Sequence, residues 1–342
     1  MTPPLPQPPK RKCSHTGFWI SIAVLGVFLI VSMMINMGLF VSLAAKAGAP
    51  VGGRAQDEFP VFTEKWSYGS GDVKAVRIAI EGAIFRESEE SLFGIRYDRI
   101  EAILRQIRAA MNDEDVMAIL LEVDSPGGDL TACDEIYKAL ERFKQSADGR
   151  KIIVFVRSMA ASGGYYVSAP ADWIVAEPTS ILGSIGVIMQ TLNWKGMSDK
   201  IGLTDVTIKS GTNKDLLNPF REVSPEQVAQ LQVMIDSMYQ QFFSIVLTNR
   251  GVDAESLKAL ADGRIFSADV ALANRLIDQI GYWEDAVAKL SELLGETSVR
   301  IVQYQRRPEF FELLSEIKSP LHLSRSGLWD AATPRLMYLW RP

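Results

Sequence analysis

Residues 151–168, KIIVFVRSMAASGGYYVS, join an apolar run to a segment of small residues, and this stretch decides the fold. The run KIIVFV is typical of a strand buried on both faces of a parallel sheet. The small residues around Ser162 and the Gly-Gly pair after it leave its hydroxyl open to close approach, as a nucleophile requires. The same residues also fit a helix start packed tightly against a strand, and on this stretch alone that second interpretation is preferred.

Strands and helices alternate on both sides of this stretch. Strands are predicted at 73–80, 116–123 and 172–176, and helices at 97–111 and 130–143. This order predicts an α/β fold with a parallel sheet and right-handed crossovers. The other predicted elements are an apolar run at 181–189, a strand at 203–208, and helices at 224–249, 255–260, 268–275, 283–294 and around 310–317.

An uncharged apolar segment, residues 17–45, lies near the N-terminus. It exceeds the roughly 20 residues that a helix needs to cross a bilayer. A buried core helix and a cleaved signal peptide fit this length less well, although small residues at 44–49 leave cleavage open. Because basic residues precede it in the tail 1–16, we expect an uncleaved signal anchor with a cytoplasmic N-terminus. Residues 46–72 are predicted to be a linker.

Composition excludes several classes of function. The net charge is −5 and no basic block follows the N-terminal tail, so nucleic acid is not an expected partner. The two cysteines lie far apart, and the chain has two histidines and no HExxH motif, so we expect no disulfide, no metal site and no cofactor. His15 borders the apolar segment and His322 lies in the C-terminal tail. A base for Ser162 is therefore not expected to be a histidine.

Two further motifs bear on the chemistry of Ser162. DSPGG at 124–128 follows the predicted strand 116–123, and it is either an ordinary turn or a source of outward backbone N–H donors. Because ligands collect outside the carboxyl ends of strands, this turn and Ser162 are expected at one edge. KSGTNKD at 209–215 offers two lysines, of which one becomes a general base only if burial or neighbouring positive charge lowers its pKa. Otherwise both are solvated.

SMAASGGYY, with DSPGG upstream and KSGTNKD downstream, resembles the signal peptide peptidase A (SppA) family of membrane-anchored Ser/Lys proteases. The resemblance runs from about residue 73 to 294 and includes GRIFSADVALANRLIDQIG at 263–281, where Arg275 replaces the family's usual glycine. It implies a ClpP/crotonase-like fold of repeated β-β-α units after a transmembrane helix. The peptidase domain would span 73–300, with a C-terminal extension at 301–342.

The resemblance also implies roles for individual residues. Ser162 would be the nucleophile and Lys214 the general base, with Lys209 as the second choice. Ser184 would hydrogen-bond the lysine. The oxyanion hole would combine the N–H of Gly163 with that of Gly127 or Gly128. Asp129 stands where the family often has a third glycine or another small residue, so the position of the second donor stays open by one residue.

The function so implied is a membrane-anchored serine endopeptidase, a homo-oligomer whose extracytoplasmic domain cuts apolar peptides such as signal peptide remnants. Residues 17–45 would hold it in the inner membrane. Two alternatives remain: an acyl-CoA enzyme of the same fold, which the anchor disfavours, and a non-catalytic membrane scaffold, which intact Ser162, Ser184 and Lys214 disfavour. The apolar segment PRLMYLWRP at the end of the chain is expected to pack on the domain or on a neighbouring subunit.

Overall fold

The structure is a computed structural model that describes residues 16–47, 58–86, 88–90, 96–305 and 335–339. The chain divides into two units, 1–53 and 54–342. The first contains helix α1 (Thr16–Ala47). Its segment Trp19–Phe40 has a mean hydropathy of 2.4 and none of it is buried, so α1 is long and apolar enough to cross a membrane. A signal sequence shares this property.

The second unit is built on a sheet of nine strands. Its main path runs in the order β1 (Thr63–Tyr68), β13 (Arg300–Gln305), β2 (Lys74–Glu81), β5 (Val116–Ser125), β7 (Lys151–Ala161), β8 (Trp173–Ala176) and β12 (Gln279–Ile280). All neighbours from β13 to β12 pair in parallel, while β1 pairs antiparallel with β13. β9 (Ile181–Gly183) continues beside the end of β7, and β11 (Ile265–Ser267) pairs with β9.

The other strands among the described residues form two smaller sheets. β6 (Gly127–Asp129), β14 (Arg335–Leu339) and β10 (Ile188–Gln190) form an antiparallel sheet with β14 in the middle. β3 (Ser88–Glu90) and β4 (Arg96–Asp98) form a hairpin. The helices that the described residues of this unit form are α2 (Arg99–Asn112), α3 (Leu130–Gln145), α4 (Gly163–Ser168), α5 (Lys195–Ile201), α6 (Pro225–Arg250), α7 (Ala254–Leu260), α8 (Ala268–Ala273) and α9 (Trp283–Leu294).

The large sheet carries a core on each face because its strands alternate. Ile119, Leu121 and Val123 of β5 face a cluster that includes α2, α3 and α4, whereas Leu120 faces the cluster that includes α9. Burial on both faces explains why the central strands read as continuous apolar runs. The predicted α/β class is confirmed, and β5, β6 and α3 form one β-β-α unit in which the second strand leaves the large sheet.

Helix boundaries follow local signals in the sequence. Asp98 caps α2 by accepting from the N–H groups of Ile100 and Glu101. Ser224 caps α6 in a capping box with Gln227, and Pro225 occupies the first helical position as predicted. α8 is shorter than predicted, since the chain turns after Ala273.

The predicted strand at 203–208 is wrong. These residues are irregular, and the side chains of Val206 and Ile208 are 82% and 97% exposed. A β-branched run forms a strand only when a partner strand supplies the ladder of hydrogen bonds, and no described strand lies beside it. The helix predicted around 310–317 lies outside the described residues.

Candidate active site

Ser162 lies in the sharp turn between β7 and α4 and is 2% exposed. Its backbone has a φ of 52°, a left-handed value that is uncommon for any residue except glycine. Such strain costs about 1–3 kcal/mol and persists only when the surroundings hold it. Here the Ser162 N–H donates to the Gly183 carbonyl at 2.7 Å, and the Ser162 carbonyl accepts from the Tyr166 N–H at 2.9 Å. The nucleophile candidate is thus fixed by backbone bonds on both sides.

Gly164 explains how the turn fits against β5. A Cβ atom at this position would lie 2.5 Å from the Ser125 carbonyl oxygen, so only glycine allows the end of β5 to approach. The register pairs Ser125 with Ala160, which places the ends of β5 and β7 at one edge of the sheet. The segment is therefore a tightly packed helix start, and this packing brings the DSPGG turn beside Ser162.

The DSPGG turn presents its two glycines differently. Gly127 has a φ of 95°, and its N–H donates to the Ser125 Oγ at 3.1 Å. Gly128 packs against Ile84, whose carbonyl oxygen would lie 2.2 Å from a Cβ atom at that position. Ile84 also holds both neighbours of Gly128, because its N–H donates to Gly127 and its carbonyl accepts from Asp129. The Gly127 N–H is engaged by the Ser125 Oγ, and Gly128 pairs with Tyr338 of β14. Both glycines therefore remain candidates for the oxyanion donor.

Ser184 lies next to Ser162 in space. It follows β9, has a φ of 51° and is 7% exposed. Its N–H donates to the Arg264 carbonyl at 2.8 Å. Because Gly183, the residue before it, accepts the Ser162 N–H, one backbone bond holds the two serines side by side.

Both serines line a cavity of about 450 Å³. Its other walls come from residues 185–188, from α6, from the loop 261–263 and from β14. The α6 side chains are Gln232, Ile235, Asp236 and Tyr239, and β14 contributes Leu339. The sequence predicted α6 only as an amphipathic helix, so its contribution to the site was missed. Only the spatial arrangement of α6 shows which of its residues face Ser162.

Two carboxylates reach the cavity, and one of them is paired. A side-chain hydrogen bond from Arg264 lowers the pKa of Asp262 to about 2. Asp236 accepts a hydrogen bond from Gln232 at 2.7 Å. Burial raises the pKa of Tyr239, so this phenol stays protonated at neutral pH. None of these groups offers a histidine-like base to Ser162.

The structure separates the two lysines of KSGTNKD from this cavity. Lys209 donates to the Thr212 carbonyl at 2.9 Å and forms an ion pair with Asp215, and its hydrogen bond to Asp215 lowers the pKa of that carboxyl. Lys214 lies on the following turn and is exposed. Neither lysine is among the described residues that line the cavity. The subunit therefore brings together Ser162, Ser184 and the glycine turns, and leaves Lys214 outside.

Tyrosine hydroxyls anchor α4 behind the nucleophile candidate. Tyr165 is fully buried and its hydroxyl donates to the Leu276 carbonyl at 2.7 Å. Tyr166 donates to Asp134 at 2.6 Å, and Gln241 of α6 donates to the same carboxylate at 2.9 Å. These bonds tie the turn at Ser162 to α3, α6 and the segment after α8.

No group of three or more histidine, cysteine, aspartate or glutamate side chains suited to a metal ion occurs in the part of the chain that the structure describes. What the site does offer is a buried serine, a second serine and glycine turns at one sheet edge. A nucleophilic side chain beside backbone N–H donors is the arrangement that enzymes of acyl transfer use.

Comparison with known proteins places this chain in a class, that of the serine peptidases. The family described as "Peptidase family S49" matches residues 144–296. The chain is 37% identical over 237 residues to "Putative signal peptide peptidase SppA" of Enterococcus faecium, covering 69% of this chain and 68% of that protein. It is 33% identical to "Protease 4" of Salmonella typhi, covering 62% of this chain and 34% of that protein.

The chain belongs to peptidase family S49. It spans about two thirds of the Enterococcus protein and about one third of the Salmonella protein. Among solved structures, a ClpP1 mutant from Listeria monocytogenes matches with a TM-score of 0.40 and 15% identity, covering 61% of this chain and 93% of that chain.

Proposed function

We propose that this protein is a membrane-anchored serine endopeptidase that uses a Ser162/Lys214 dyad to hydrolyse apolar peptides such as cleaved signal peptides. The observation that carries the proposal is the strained, buried Ser162, which lines one cavity with Ser184 and lies at the sheet edge where the DSPGG turn also ends. Membership of family S49 supports the reaction class. The proposal that signal peptides are substrates is supported by the name of the Enterococcus relative.

The proposed chemistry starts with a neutral Lys214, which takes the proton of the Ser162 hydroxyl. The Ser162 Oγ attacks the peptide carbonyl, and the N–H group of Gly163 with that of Gly127 or Gly128 stabilises the oxyanion. The protonated Lys214 then gives its proton to the leaving amine. Water hydrolyses the acyl ester and restores Ser162, while Ser184 holds the lysine in place.

Lys214 must reach Ser162 for this reaction, and we propose that subunit assembly brings it there. Large apolar side chains are exposed around the segment that carries the lysine: Leu192, Ile201, Leu203, Val206 and Ile208. A second copy of the chain that covers these residues removes apolar surface from water and fixes the segment. The same contact would remove the Lys214 side chain from water, which a lysine that acts as a general base requires.

Oligomer formation has its own test. Ile208→Asp, which places a charge on the most exposed of these side chains, is expected to yield smaller particles by light scattering and lower kcat. Val61→Asp is the matched control, because Val61 is 88% exposed and lies elsewhere in the chain. If the wild-type protein is monomeric at a concentration at which it is fully active, the assembly proposal is contradicted.

The catalytic dyad is tested by three alanine variants in the full-length protein. We expect Ser162→Ala and Lys214→Ala each to lower kcat/KM for an apolar reporter peptide by at least about 10³-fold, as removal of a catalytic unit does. Lys209→Ala is the matched control, because Lys209 lies in the same segment and pairs with Asp215. Full activity of Lys214→Ala, or loss only in Lys209→Ala, would refute the assignment of the base.

The anchor and the domain bounds are part of the same proposal. Residues 17–45 would cross the inner membrane after a cytoplasmic tail, 1–16, and the linker 46–72 would lead to the extracytoplasmic domain 73–300 and its extension 301–342. The large sheet of that domain also takes β1 from the linker and β13 from the extension. Labelling single cysteines in intact cells with a membrane-impermeant maleimide tests this orientation. We expect a cysteine placed at residue 61 to be labelled and one placed at residue 5 to stay unlabelled. The reverse pattern contradicts the proposed orientation.

A further inference from the structure

Strand β7 contains a β-bulge shortly before its end. The register pairs Val156 with Val123 of β5, and the next pair joins Ala160 to Ser125. Three residues of β7, 157–159, therefore lie opposite a single residue of β5. Bulges bend the strand that contains them and are common next to active sites, where they re-aim a side chain. The direction in which β7 ends is thus set by this bulge.

The bulge also changes the neighbour of β7. Before it, residues 153–156 pair with β8, and after it, residues 159–161 pair with β9. β9 leads directly into Ser184, and its Gly183 carbonyl accepts the Ser162 N–H at 2.7 Å. The two strands that end at the two serines therefore become neighbours only beyond the bulge.

Ser180 joins the bulge to the start of β9. It immediately precedes β9 and is 1% exposed. Its hydroxyl donates to the Arg157 carbonyl within the bulge, and the Val156 carbonyl, at 3.3 Å, is a second acceptor. Because a bulge interrupts the ladder of backbone hydrogen bonds, this side chain supplies a donor where the ladder is disrupted. The Ser180 N–H closes a turn onto the Glu177 carbonyl at 3.0 Å, which holds the serine in place.

The β5 side of the bulge is held more weakly. Arg157 forms an ion pair with Glu122 at 3.2 Å, and Ser158 donates to Asp124 at 3.2 Å. The side chains of Arg157 and Ser158 are exposed, so water competes for both contacts. The Ser180 hydroxyl is shielded from water, and a buried hydrogen bond is costly to leave unmade. Ser180 is therefore the contact that fixes the bulge most firmly.

We propose that Ser180 is a positioning residue for the proposed peptidase. Its hydroxyl fixes the bulge of β7 against the start of β9, and this sets the position of Ser162 relative to Ser184. Ser180 is not among the described residues that line the cavity, so it acts through the backbone rather than on the substrate. The inference rests on the proposed role of Ser162.

A positioning role has a kinetic signature. Without the Ser180 hydroxyl, the end of β7 is free to move against β9, and the Ser162 hydroxyl is misaligned with the carbonyl that it attacks. A misplacement of about 1 Å costs about 10²-fold in rate. Because this alignment acts in the transition state rather than in peptide binding, kcat falls while KM stays the same.

The test uses the full-length protein in detergent and the variant Ser180→Ala. We expect kcat for an apolar reporter peptide to fall by at least about tenfold, with KM unchanged. Ser180→Thr, which keeps the hydroxyl, should restore most of the lost activity. Melting temperatures show whether both variants fold. If the added methyl group of threonine is not tolerated, the comparison with the control below decides the question.

Ser291→Ala is the matched control. Ser291 is 7% exposed, and its hydroxyl donates to the Val287 carbonyl at 3.2 Å. It lies in α9, which packs on the face of the large sheet opposite α4. Loss of this buried hydroxyl should lower the melting temperature about as much as Ser180→Ala does, yet leave kcat unchanged. Equal kcat in Ser180→Ala and wild type, or an equal loss of kcat in Ser291→Ala, overturns the inference.

Amide hydrogen exchange tests the bulge without any measurement of activity. In Ser180→Ala, fragments covering 157–162 and 181–184 should exchange at least about tenfold faster than in wild type, because a loosened bulge opens the bonds between β7 and β9. Ser291→Ala should leave this exchange unchanged. Equal exchange in Ser180→Ala and wild type contradicts the proposal.

Exchange also separates failure of this inference from failure of the proposed function. If wild type hydrolyses no peptide, the proposed function fails, and exchange alone decides whether Ser180 fixes the bulge. If hydrolysis depends on Ser162 but neither kcat nor exchange changes in Ser180→Ala, the peptidase stands and the positioning role is refuted.

Discussion

Substitution of Gly164 by alanine tests whether close packing of two strand ends positions the nucleophile. The added Cβ would lie 2.5 Å from the Ser125 carbonyl oxygen, a backbone atom that no rotamer change moves away. Real Cβ contacts are almost never shorter than 3.0 Å, so the turn at Ser162 must move from β5 by at least about 0.5 Å. The DSPGG turn, which contains Ser125, then shifts relative to the Ser162 hydroxyl.

The expected cost of Gly164→Ala has two parts. Overpacking a tight contact lowers the free energy of unfolding by about 1–3 kcal/mol. Misplacement of reacting groups by about 1 Å costs about 10²-fold in rate, so a shift of half that size should lower kcat by about tenfold or more. The assay is steady-state hydrolysis of an apolar reporter peptide, with thermal unfolding followed in parallel.

Gly196→Ala is the matched control. Gly196 lies in α5, and an added Cβ there meets no atom within 4 Å. Alanine in a helix is favoured over glycine by about 0.5–1 kcal/mol, so this variant should be as stable as wild type or more so, with unchanged kcat. Equal kcat in Gly164→Ala and Gly196→Ala would refute the claim that this packing positions Ser162.

Three other predictions concern stability and are checked by thermal unfolding in detergent. Tyr165→Phe removes the donor to the Leu276 carbonyl and should cost about 1–3 kcal/mol, whereas Tyr282→Phe, at a 57% exposed position, should cost almost nothing. Arg275→Gly should stabilise by about 1 kcal/mol, because Arg275 has a φ of 59°, and Arg275→Ala, which keeps the Cβ strain, should not. Burial lowers the pKa of Lys74, but hydrogen bonds to Asp113 and Glu64 raise it more, so the net pKa lies above its usual value of 10.5. The stability that this shift contributes is fully present below the unfolded-state pKa and is lost as the pH rises through the folded-state pKa. Above about pH 10.5, wild type should therefore lose stability more steeply than Lys74→Met.

The edge that carries the site was predictable because it follows from local patterns and one rule of topology. KIIVFV and VMAILLEV read as buried parallel strands, and parallel strands end at one edge, so Ser162 and the DSPGG turn had to meet there. The small-residue segment was interpreted either as a nucleophile turn or as a helix start packed against a strand, and these two interpretations are compatible. Gly164 packs the helix start on β5, and that packing is what presents Ser162.

Features that depend on distant partners were not predictable. Residues 203–208 have a strand-like composition, but no described strand pairs with them. The apolar segment PRLMYLWRP was expected to pack on the domain or a neighbouring subunit, and its described part, β14, does lie on the domain, yet nothing in its sequence indicates pairing with β6 and β10. Likewise, the period of α6 shows an apolar face but not which residues reach the cavity.

The resemblance to the SppA family contributed what local physics did not. It singled out Ser184, which the structure places beside Ser162, and it marked Arg275 as a replaced glycine, where the backbone indeed has a left-handed φ. It also named Lys214 as the base. That assignment stays a prediction, because the lysine is exposed and outside the cavity in one subunit.

The most direct measurement of the central claim is the site of covalent modification by a fluorophosphonate, a reagent that traps activated serines. After reaction of the full-length protein, tryptic peptides are identified by mass spectrometry. A single adduct on Ser162, absent in Lys214→Ala and retained in Lys209→Ala, is the predicted result. An adduct on another serine, or an active wild-type enzyme without any adduct on Ser162, would contradict the account.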